Sequence, residues 1–368
     1  MRDFTVQVGG EVTRVVVGQG LLGRLGELIA PAFELKGDEV IYLGVDGRIN
    51  GDHGETAAAS LGDGPVVRGV VEAAESAKLM TTVQELWQDM LEGGVDRRSV
   101  VVGMGGGIAG DVIGFAAASW MRGVRLALVP TTLLSMVDAS IGGKTGVNVR
   151  LPNGGLGKNM AGAFWPARIV IADIDTLSTL EDRDFRCGLA ECIKHGVIEG
   201  DQALGQLEGE IDAVMRRDPD ALEELVARSG RIKCDIVERD PRESGSRALL
   251  NLGHTYAHAM ESQESLGLRH GEAVAIGLMA ACAASVAAGM AGPELGARVG
   301  ALLERAGLPV TLKNPMDESV LRAGMLMDKK QVAGRMRLVL PVSAGDVRVV
   351  DGPSEAVVRA GWLAVGAS

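Results

Sequence analysis

The sequence contains few aromatic residues: Phe, Trp and Tyr make up 3% of its 368 residues. A hydrophobic core must therefore be built largely from Val, Leu, Ala and Met. Cysteine is also scarce, and the four present, Cys187, Cys192, Cys234 and Cys282, form no C-x-x-C pair. Scattered cysteines are typical of reduced, packed side chains, which argues against a disulfide scaffold or a cysteine zinc site.

Long apolar runs are missing, since none reaches the roughly 18 residues that a membrane helix needs. The start, MRDFTVQVGG, lacks the apolar stretch of a signal peptide. Both absences predict a cytoplasmic protein. Positive charge is outnumbered, with 37 Lys and Arg against 48 Asp and Glu and a net charge of −11. This balance argues against nucleic acid as a partner, and an anionic substrate would need basic groups concentrated in its site.

The length predicts two domains, because single cores stop growing near about 250–300 residues. Strand and helix patterns alternate over residues 1–175, which predicts an α/β domain with a largely parallel sheet. From Thr176 to residue 368 the pattern is mainly helical. Breaks at Asp218-Pro219 and Gly292-Pro293 separate some of these helices.

Individual elements follow from the periodicity of apolar residues. In the first part we expect a hairpin of residues 4–8 and 13–17, helices at 20–30 and 76–93, and strands at 39–43, 66–71, 99–102 and 126–129. In the second part we expect helices at 182–199, 201–217, 219–239, 250–266, 270–289, 292–306 and 316–327, then short β segments at 336–340 and 346–350.

A glycine cluster follows the strand Ser99–Val102 and leads into an apolar helix. Gly105, Gly107 and Gly110 fit G-x-G-x-x-G, a pattern that lets backbone N–H groups approach a phosphate. Asp111 lies near the helix start, where the dipole favours an acid. The full dinucleotide fingerprint also needs an acid about 20 residues later, which is missing here. The stretch is thus either a phosphate-binding loop or a tight strand–helix turn.

A second glycine motif, Gly142-Gly143-Lys144-Thr145, is similar to the end of a P-loop. The upstream glycine of that motif falls on Asp138, which excludes an ATP-binding P-loop. What remains is a lysine presented from a flexible turn beside a carboxylate. The Pro and Gly content between Val147 and Lys158 predicts a loop.

Acidic and basic residues early in the chain allow two interpretations. Asp46, at the tip of an early strand, either holds a cofactor ribose hydroxyl or is a solvated loop acid. By pattern alone, Glu75 and Lys78 are surface residues at the start of the helix predicted at 76–93.

The five histidines are concentrated in the helical part, which holds four of them. Glu191, Lys194 and His195 share one helix face by their i, i+3 and i+4 spacing, and His254 and His258 are four apart on another helix. Such a pair can bind zinc from one helix, but Thr255 replaces the Glu of H-E-x-x-H and disfavours a metalloprotease. A metal site and a structural role both remain open for these histidines.

Six motifs taken in order resemble the 3-dehydroquinate synthase family of sugar-phosphate cyclases. They are GGGIAGDVIGFAAASWMRG, VPTTLLSMVDASIGGKTGVN, LGKNMAGAFWP, FRCGLAECIKHG, LLNLGHTYAHAME and RHGEAVAIG. The resemblance implies a Rossmann-like NAD-binding domain over 1–175 and a metal- and substrate-binding domain over 176–368. It implies a homodimeric lyase of the shikimate pathway, with NAD and Zn²⁺ or Co²⁺, that converts 3-deoxy-D-arabino-heptulosonate 7-phosphate to 3-dehydroquinate and phosphate.

The resemblance also implies roles for individual residues. The metal ligands are Glu191, His254 and His270. Residues around the substrate are Asp138, Lys144, Asn159, Lys194, Lys233, Glu243, Arg247, Asn251, His258 and Lys330, and Arg122 reaches the neighbouring subunit's site. Cofactor-binding residues are Asp46, Glu75, Lys78, Gly107, Ile108, Ala109, Gly110, Asp111, Thr131, Thr132, Lys144, Lys158, Thr176, Leu177, Ser178 and Thr179. The sequence departs from the family pattern at Arg48, where Asn is usual, and in a longer connection over 148–158.

Two other enzyme classes and a binding protein are alternatives. A sibling cyclase would act on sedoheptulose 7-phosphate or glucose 6-phosphate, which lack a carboxylate. Arg247 and Asn251 argue against it, since a guanidinium pairs bidentately with a carboxylate. A metal-dependent polyol dehydrogenase would release NADH, and the GGKT and LGKN motifs count against it. The many ionisable groups on matching motifs disfavour a purely binding role.

Overall fold

The computed structural model describes residues 1–152, 154–241, 245–329 and 336–368. The strands are β1 (Arg2–Val8), β2 (Glu11–Gly18), β3 (Ile41–Asp46), β4 (Val66–Val71), β5 (Val100–Gly105), β6 (Arg125–Pro130), β7 (Lys144–Arg150), β8 (Leu156–Phe164), β9 (Ile169–Asp173), β10 (Arg337–Ser343) and β11 (Asp346–Asp351). The α-helices are α1 (Leu25–Phe33), α2 (Glu55–Ser60), α3 (Met80–Glu92), α4 (Gly107–Ser119), α5 (Asp182–Glu199), α6 (Asp201–Met215), α7 (Pro219–Arg239), α8 (His254–Glu261), α9 (His270–Ala287), α10 (Glu294–Arg305), α11 (Glu318–Lys329) and α12 (Glu355–Ala364).

The chain divides into two compact units. Unit 1 comprises Met1–Leu180 and Leu222–Pro241, and unit 2 comprises Glu181–Ala221 and Arg242–Ser368. Most of α7 thus belongs to unit 1, although the sequence analysis assigns it to the second domain. The α/β character of the first part and the helical character of the second confirm the predicted fold class, while the boundary at 175/176 stays a prediction.

Unit 1 is built on a seven-stranded sheet of order β1-β2-β9-β6-β5-β3-β4. Every neighbouring pair is parallel except β1 and β2, which form the predicted hairpin. The strands are runs of buried Val, Ile and Leu, as expected for a parallel sheet covered on both faces. Helix α4 packs closely on this sheet. A Cβ atom added at Gly44 or at Gly103 would lie 3.0 Å or 3.2 Å, respectively, from the Ile113 side chain of α4. One at Gly103 would also lie 3.0 Å from Leu128 of the neighbouring strand β6.

The connections in this sheet reverse direction between β3 and β5. From β3 the chain proceeds outward to β4, then returns to β5 on the other side of β3 and continues to β6 and β9. In doubly wound folds, ligands bind at the carboxyl ends of the strands beside such a reversal. Asp46 ends β3 and Gly105 ends β5, so these two residues mark that position.

The segment around residues 147–158 differs from the prediction. It is largely an antiparallel hairpin, in which β7 ends at Arg150 and β8 begins at Leu156, rather than a loop. Lys144 is the first residue of β7, so the flexible turn predicted at this lysine is wrong. The two strands were missed because they contain many small and polar residues and no clear alternation of apolar and polar positions. The Pro and Gly residues between them therefore dominated the prediction.

Unit 2 is mainly helical, with a small β10–β11 sheet. Its core includes a T-shaped contact between Tyr256 and Trp362, whose ring centroids are 4.8 Å apart. The Trp362 indole N–H donates to Met325 Sδ at 3.2 Å. Helices α5 and α7 have the predicted bounds, whereas α12 was not predicted.

Glycine contacts join the helices that carry the histidines of unit 2. A Cβ at Gly271, in the first turn of α9, would collide with the backbone of Cys187 on α5. Gly253 has φ +77° and precedes α8, and a Cβ there would lie 2.9 Å from Leu278 N on α9. The predicted single helix at 250–266 is therefore wrong: a 3₁₀ turn over Ser246–Asn251 ends before Gly253, and α8 begins at His254.

Among the described residues, α9 is the one helix that is long and apolar enough by length and composition to cross a membrane. The expectation that no stretch reaches this length is corrected to that extent. Of the window, 67% is buried inside the protein, as is typical of a core helix.

Candidate active site

The glycine cluster forms the turn between β5 and α4. Gly105 has φ +149°, and a Cβ there would lie 2.8 Å from the Cβ atoms of both Asp46 and Ala109. Gly106 is the N-cap of α4, whose first-turn N–H groups are available to an anion in such helices. The pocket at this turn is lined by Gly103, Gly105, Gly107, Gly110, Leu128, Pro130, Ser135, Ala139 and Ser140. A backbone-lined cradle of this kind fits a dinucleotide phosphate.

Asp46 is not the solvated loop acid considered above, because the residue is only 2% exposed. Its Oδ1 accepts from the Arg48 backbone N–H at 3.0 Å and from Arg48 Nε at 3.1 Å. Its Oδ2 accepts from Arg48 Nη2 at 2.6 Å. Arg48 thus donates hydrogen bonds to both carboxylate oxygens of Asp46, the last residue of β3.

Lys78 and Asp111 form an ion pair whose lysine is buried rather than on a helix surface. Lys78 precedes α3 in a non-helical segment, and Asp111 is the fifth residue of α4. Lys78 Nζ lies 2.5 Å from Asp111 Oδ2 and 2.5 Å from Asn159 Oδ1. Burial raises the pKa of the Asp111 carboxyl, and Lys78 opposes that rise. The surface placement of Lys78 is therefore wrong, whereas Asp111 lies near the helix start as predicted.

Asn148 connects Glu75 to Asn159. The Asn148 amide donates to Glu75 Oε1 at 2.8 Å, and its carbonyl oxygen accepts from the Asn159 backbone N–H at 2.8 Å. Asn159 has φ +54°, a backbone conformation that this contact supports. The sequence analysis missed Asn148, because it predicts a loop here and only the hairpin brings Asn148 to Asn159.

A second lysine–aspartate pair lies in unit 1. Lys233, on α7, donates from Nζ to the Asp138 backbone oxygen and to Oδ1, both at 2.5 Å. Lys144 and Lys158 are exposed on the β7–β8 hairpin. Unit 1 therefore contains several of the predicted cationic substrate and cofactor groups.

The predicted threonines lie where strands end in unit 1. Thr131 is buried and its N–H donates to Gly105 O at 3.0 Å, and the Ser135 N–H donates to Thr132 Oγ1 at 3.1 Å. The other predicted residues follow β9 in a 3₁₀ turn: Thr176 and Leu177 are buried, whereas Ser178 and Thr179 are exposed.

In unit 2, Glu191, His254 and His270 converge. His254 Nε2 lies 3.5 Å and His270 Nε2 lies 3.4 Å from Glu191 Oε1, and ligand atoms of all three residues lie within 4.8 Å of one another. In tetrahedral zinc sites with bonds of about 2.0–2.1 Å, ligand atoms lie about 3.3–3.4 Å apart. The donor set and its spacing therefore fit a zinc ion with a fourth position open.

The other nitrogen of each histidine has a partner of its own. His254 Nδ1 lies 3.2 Å from the Leu252 carbonyl oxygen, and His270 Nδ1 lies 3.4 Å from Glu261 Oε1. Such contacts fix the ring and leave Nε2 to bind a metal. The sequence analysis missed Glu261, whose position at the end of α8, before a ligand-bearing helix, was the available signal.

Burial and neighbouring charges shift the pKa values of this cluster in different directions. Burial works to raise the pKa of Glu191, but Lys194 and His254 outweigh it and hold that pKa well below its usual value. Burial and then Lys194 lower the pKa of His254 to about 3. Burial opposes the rise at His270, yet Glu191 and Glu261 raise the pKa of His270 to about 10. The two carboxylates therefore stabilise a positive charge on the His270 ring.

The remaining predicted groups of unit 2 lie on the same elements. Lys194 is 1% exposed and is ion-paired with Glu191 on α5. Arg247 is buried and Asn251 partly buried in the 3₁₀ turn before α8. The ring of His258 is exposed, with its centroid 5.6 Å from that of His254. Arg247 lies in this 3₁₀ turn and His254 begins α8, so the two residues lie on separate elements.

The predicted residues not yet described are Glu243, Lys330 and Arg122. Glu243 and Lys330 fall outside the described residues. Arg122 is exposed at the end of a 3₁₀ turn after α4, with φ +69°.

Comparisons with known proteins identify the family of the chain. Residues 68–187 match the family model "3-dehydroquinate synthase N-terminal", and residues 188–331 match "3-dehydroquinate synthase C-terminal". A relative named 3-dehydroquinate synthase from Symbiobacterium thermophilum is 40% identical over 98% of this chain and 99% of its own.

Two solved structures share the fold over nearly the whole chain. One is 2-epi-5-epi-valiolone synthase from Streptomyces hygroscopicus subsp. jinggangensis 5008, with NAD⁺ and Zn²⁺ bound, at 28% identity and a TM-score of 0.85, covering 99% of this chain and 98% of that one. The other is 2-deoxy-scyllo-inosose synthase with carbaglucose-6-phosphate, NAD⁺ and Co²⁺, at 22% identity and a TM-score of 0.86, covering 98% and 100%. The family models cover most of the chain and the relative matches nearly all of it, so the chain belongs to the 3-dehydroquinate synthase family of enzymes.

Proposed function

We propose that the protein is a lyase that converts 3-deoxy-D-arabino-heptulosonate 7-phosphate to 3-dehydroquinate and phosphate. The observation that carries the proposal is the Glu191–His254–His270 set, with donor atoms 3.4–3.5 Å apart. It is accompanied in unit 2 by Arg247, a buried guanidinium suited to a substrate carboxylate. The relative that is 40% identical to this chain is named for this activity, and the match covers 99% of that relative.

The proposed cofactors are NAD and a divalent zinc or cobalt ion. Residues 1–175 would hold the nucleotide at the glycine turn, and residues 176–368 would hold the metal. When bound, these groups supply a reversible two-electron oxidation and polarisation of substrate oxygens. Because the oxidation is reversed within one turnover, the net reaction involves no redox change.

The residues of unit 2 would bind and orient the ring. Arg247 would hold the carboxylate by two parallel hydrogen bonds, and Asn251 and His258 would bind oxygens of the substrate. Lys194 is ion-paired with Glu191 and would stabilise negative charge that develops on a substrate oxygen.

The residues of unit 1 would handle the phosphate and its departure. Oxidation of one secondary alcohol acidifies the neighbouring C–H, and elimination then breaks the C–O bond to phosphate while that C–H loses its proton. The substrate's own phosphate can accept this proton, so the protein needs cations rather than a dedicated base. Lys144, Lys233 and Asn159 would bind these anionic groups, with Asp138 orienting Lys233 through their 2.5 Å contact.

A homodimer in the cytoplasm completes the proposal. Met121 beside Arg122 is 42% exposed, and Leu156, Met160 and Phe164 of β8 are 36–53% exposed. Exposed apolar side chains in such number favour association. The four cysteines are all buried and form no disulfide, as expected in a reducing compartment. Light scattering should give twice the chain mass of 38.3 kDa.

One assay tests the function. The zinc-loaded protein is incubated with the heptulosonate phosphate and NAD⁺, and inorganic phosphate and NADH are followed together. We expect phosphate release without accumulation of NADH. Accumulating NADH would indicate a polyol dehydrogenase, and faster turnover of sedoheptulose 7-phosphate would indicate a sibling cyclase. The matched control is Glu191→Gln, which should release little phosphate.

A further inference from the structure

The ion pair between Asp46 and Arg48 is an unusual arrangement for an acid at this position. Arg48 Nη2 lies 2.6 Å from Asp46 Oδ2, and Arg48 Nε lies 3.1 Å from Oδ1. The Asp46 side chain is 3% exposed, whereas the Arg48 side chain is 64% exposed. A buried carboxylate is therefore covered on its solvent side by a guanidinium that solvent can reach.

The location of this pair connects it to the nucleotide site. Asp46 ends β3 beside the reversal of strand order between β3 and β5. A Cβ at Gly105 would lie 2.8 Å from Asp46 Cβ and 3.6 Å from Asp46 Oδ2, so the carboxylate lies against the glycine turn. In doubly wound folds, the groups at this place contact the adenosine ribose of a dinucleotide.

The charge of the pair bears on whether the site accepts a ribose with a 2′-hydroxyl or one with a 2′-phosphate. A lone carboxylate accepts hydrogen bonds from the ribose 2′-hydroxyl and repels a 2′-phosphate. Here both oxygens of Asp46 already accept hydrogen bonds from Arg48, and the pair has no net charge. In dinucleotide-binding folds, an arginine near this acid accommodates a 2′-phosphate.

We propose that Arg48 is a cofactor-specificity residue, which lets the nucleotide site accept a dinucleotide that carries a 2′-phosphate. This inference rests on the proposed function, because it assumes that the glycine turn binds a dinucleotide. Wild-type protein binds NADP⁺ with an affinity within about tenfold of that for NAD⁺. Arg48→Asn weakens NADP⁺ binding at least tenfold and changes NAD⁺ binding less than threefold.

The test is calorimetric titration of the zinc-loaded full-length protein with NAD⁺ and with NADP⁺, after co-purified nucleotide has been removed. The matched control is Arg98→Asn, which alters another exposed arginine that is paired with an acid in unit 1. It should leave both affinities unchanged. Arg48→Lys keeps the charge but loses the fork, and we expect an intermediate NADP⁺ affinity.

The outcomes separate this inference from the proposed function. Wild-type protein that binds NAD⁺ but binds NADP⁺ more than tenfold more weakly overturns the inference alone. An equal loss of affinity for NAD⁺ and NADP⁺ in Arg48→Asn also overturns the inference, because the arginine would then support the fold of the site rather than select the nucleotide. Wild-type protein that binds neither nucleotide overturns the proposed function and the inference together. Because the wild-type ratio is itself decisive, the test does not depend on the variants folding.

Discussion

The two units position their functional side chains by different physical means. In unit 1, ion pairs between distant parts of the chain hold the charged groups, as in Lys78–Asp111 and Lys233–Asp138. In unit 2, backbone contacts at Gly253 and Gly271 bring together the helices that carry the donor atoms. The first arrangement depends on charge and the second on the absence of side chains, so different substitutions should disrupt them.

The largest expected effect tests the charge-based arrangement. Lys78→Met removes the ammonium between Asp111 and Asn159 and leaves a carboxylate in a largely buried position. Breaking a buried ion pair in this way costs about 3–5 kcal/mol in the free energy of unfolding. Urea unfolding measures the change. Arg98→Ala, which breaks an exposed pair with Asp38, should cost about 0–1 kcal/mol. Similar losses in both variants would contradict the distinction.

The next effect concerns substrate binding by unit 2. Arg247→Ala should lower kcat/KM for the heptulosonate phosphate by an amount equivalent to about 2–5 kcal/mol, as for truncated charge pairs. Arg247→Lys should recover only part, because lysine cannot form the bidentate pair. The control is Arg348→Ala, an exposed arginine of the same unit. If the preference for the heptulosonate phosphate over sedoheptulose 7-phosphate survives in Arg247→Ala, Arg247 does not bind the carboxylate.

Substitutions in and around the metal-binding residues should lower zinc affinity to different degrees. Glu191→Gln removes the one anionic donor and should lower zinc affinity more than 100-fold, beyond the about 10–100-fold expected when the supporting Glu261 becomes Gln. Zinc content after equilibration in metal buffers measures both. The exposed Glu264→Gln should retain full zinc content. Chelation should abolish activity, with zinc or cobalt restoring it, and full activity in metal-stripped protein would exclude a role for the ion.

The smallest effect tests the backbone contacts of unit 2. Gly271→Ala places a Cβ against the Cys187 backbone, and such overpacking costs about 1–3 kcal/mol. Because His270 precedes Gly271, zinc affinity should fall as well. Gly209→Ala, where a Cβ meets nothing within 4 Å on helix α6, should instead stabilise by about 0.5–1 kcal/mol. Unchanged zinc affinity in Gly271→Ala would show that the contact does not set the site.

The sequence allowed prediction of elements whose apolar periodicity is long and regular. Helices α5 and α7 have the predicted bounds, and the fold class is confirmed. The helix predicted at 250–266 failed because the left-handed Gly253 interrupts a run of helix-favouring residues. Periodicity carries no information on this interruption, since it depends on packing against Gly277.

The candidate site shows the same limit. Neighbouring residues along one helix, such as Glu191 and Lys194, were paired correctly from spacing. Lys78 and its partners are 33 and 81 residues apart, so no local pattern indicates their contact. Resemblance to a family identified them as site residues, but only the structure gives the ion pair that holds Lys78 in place.

The close helix contacts of unit 2 have a consequence for engineering. Because main-chain atoms of α5, α8 and α9 set the spacing of the metal-binding atoms, side-chain repacking elsewhere in the helical core has little leverage on that spacing. Thermal stability and zinc affinity should thus be separable traits. A mutation of Trp362 should change the melting temperature, while the backbone contacts at Gly253 and Gly271 keep the spacing of the metal-binding atoms.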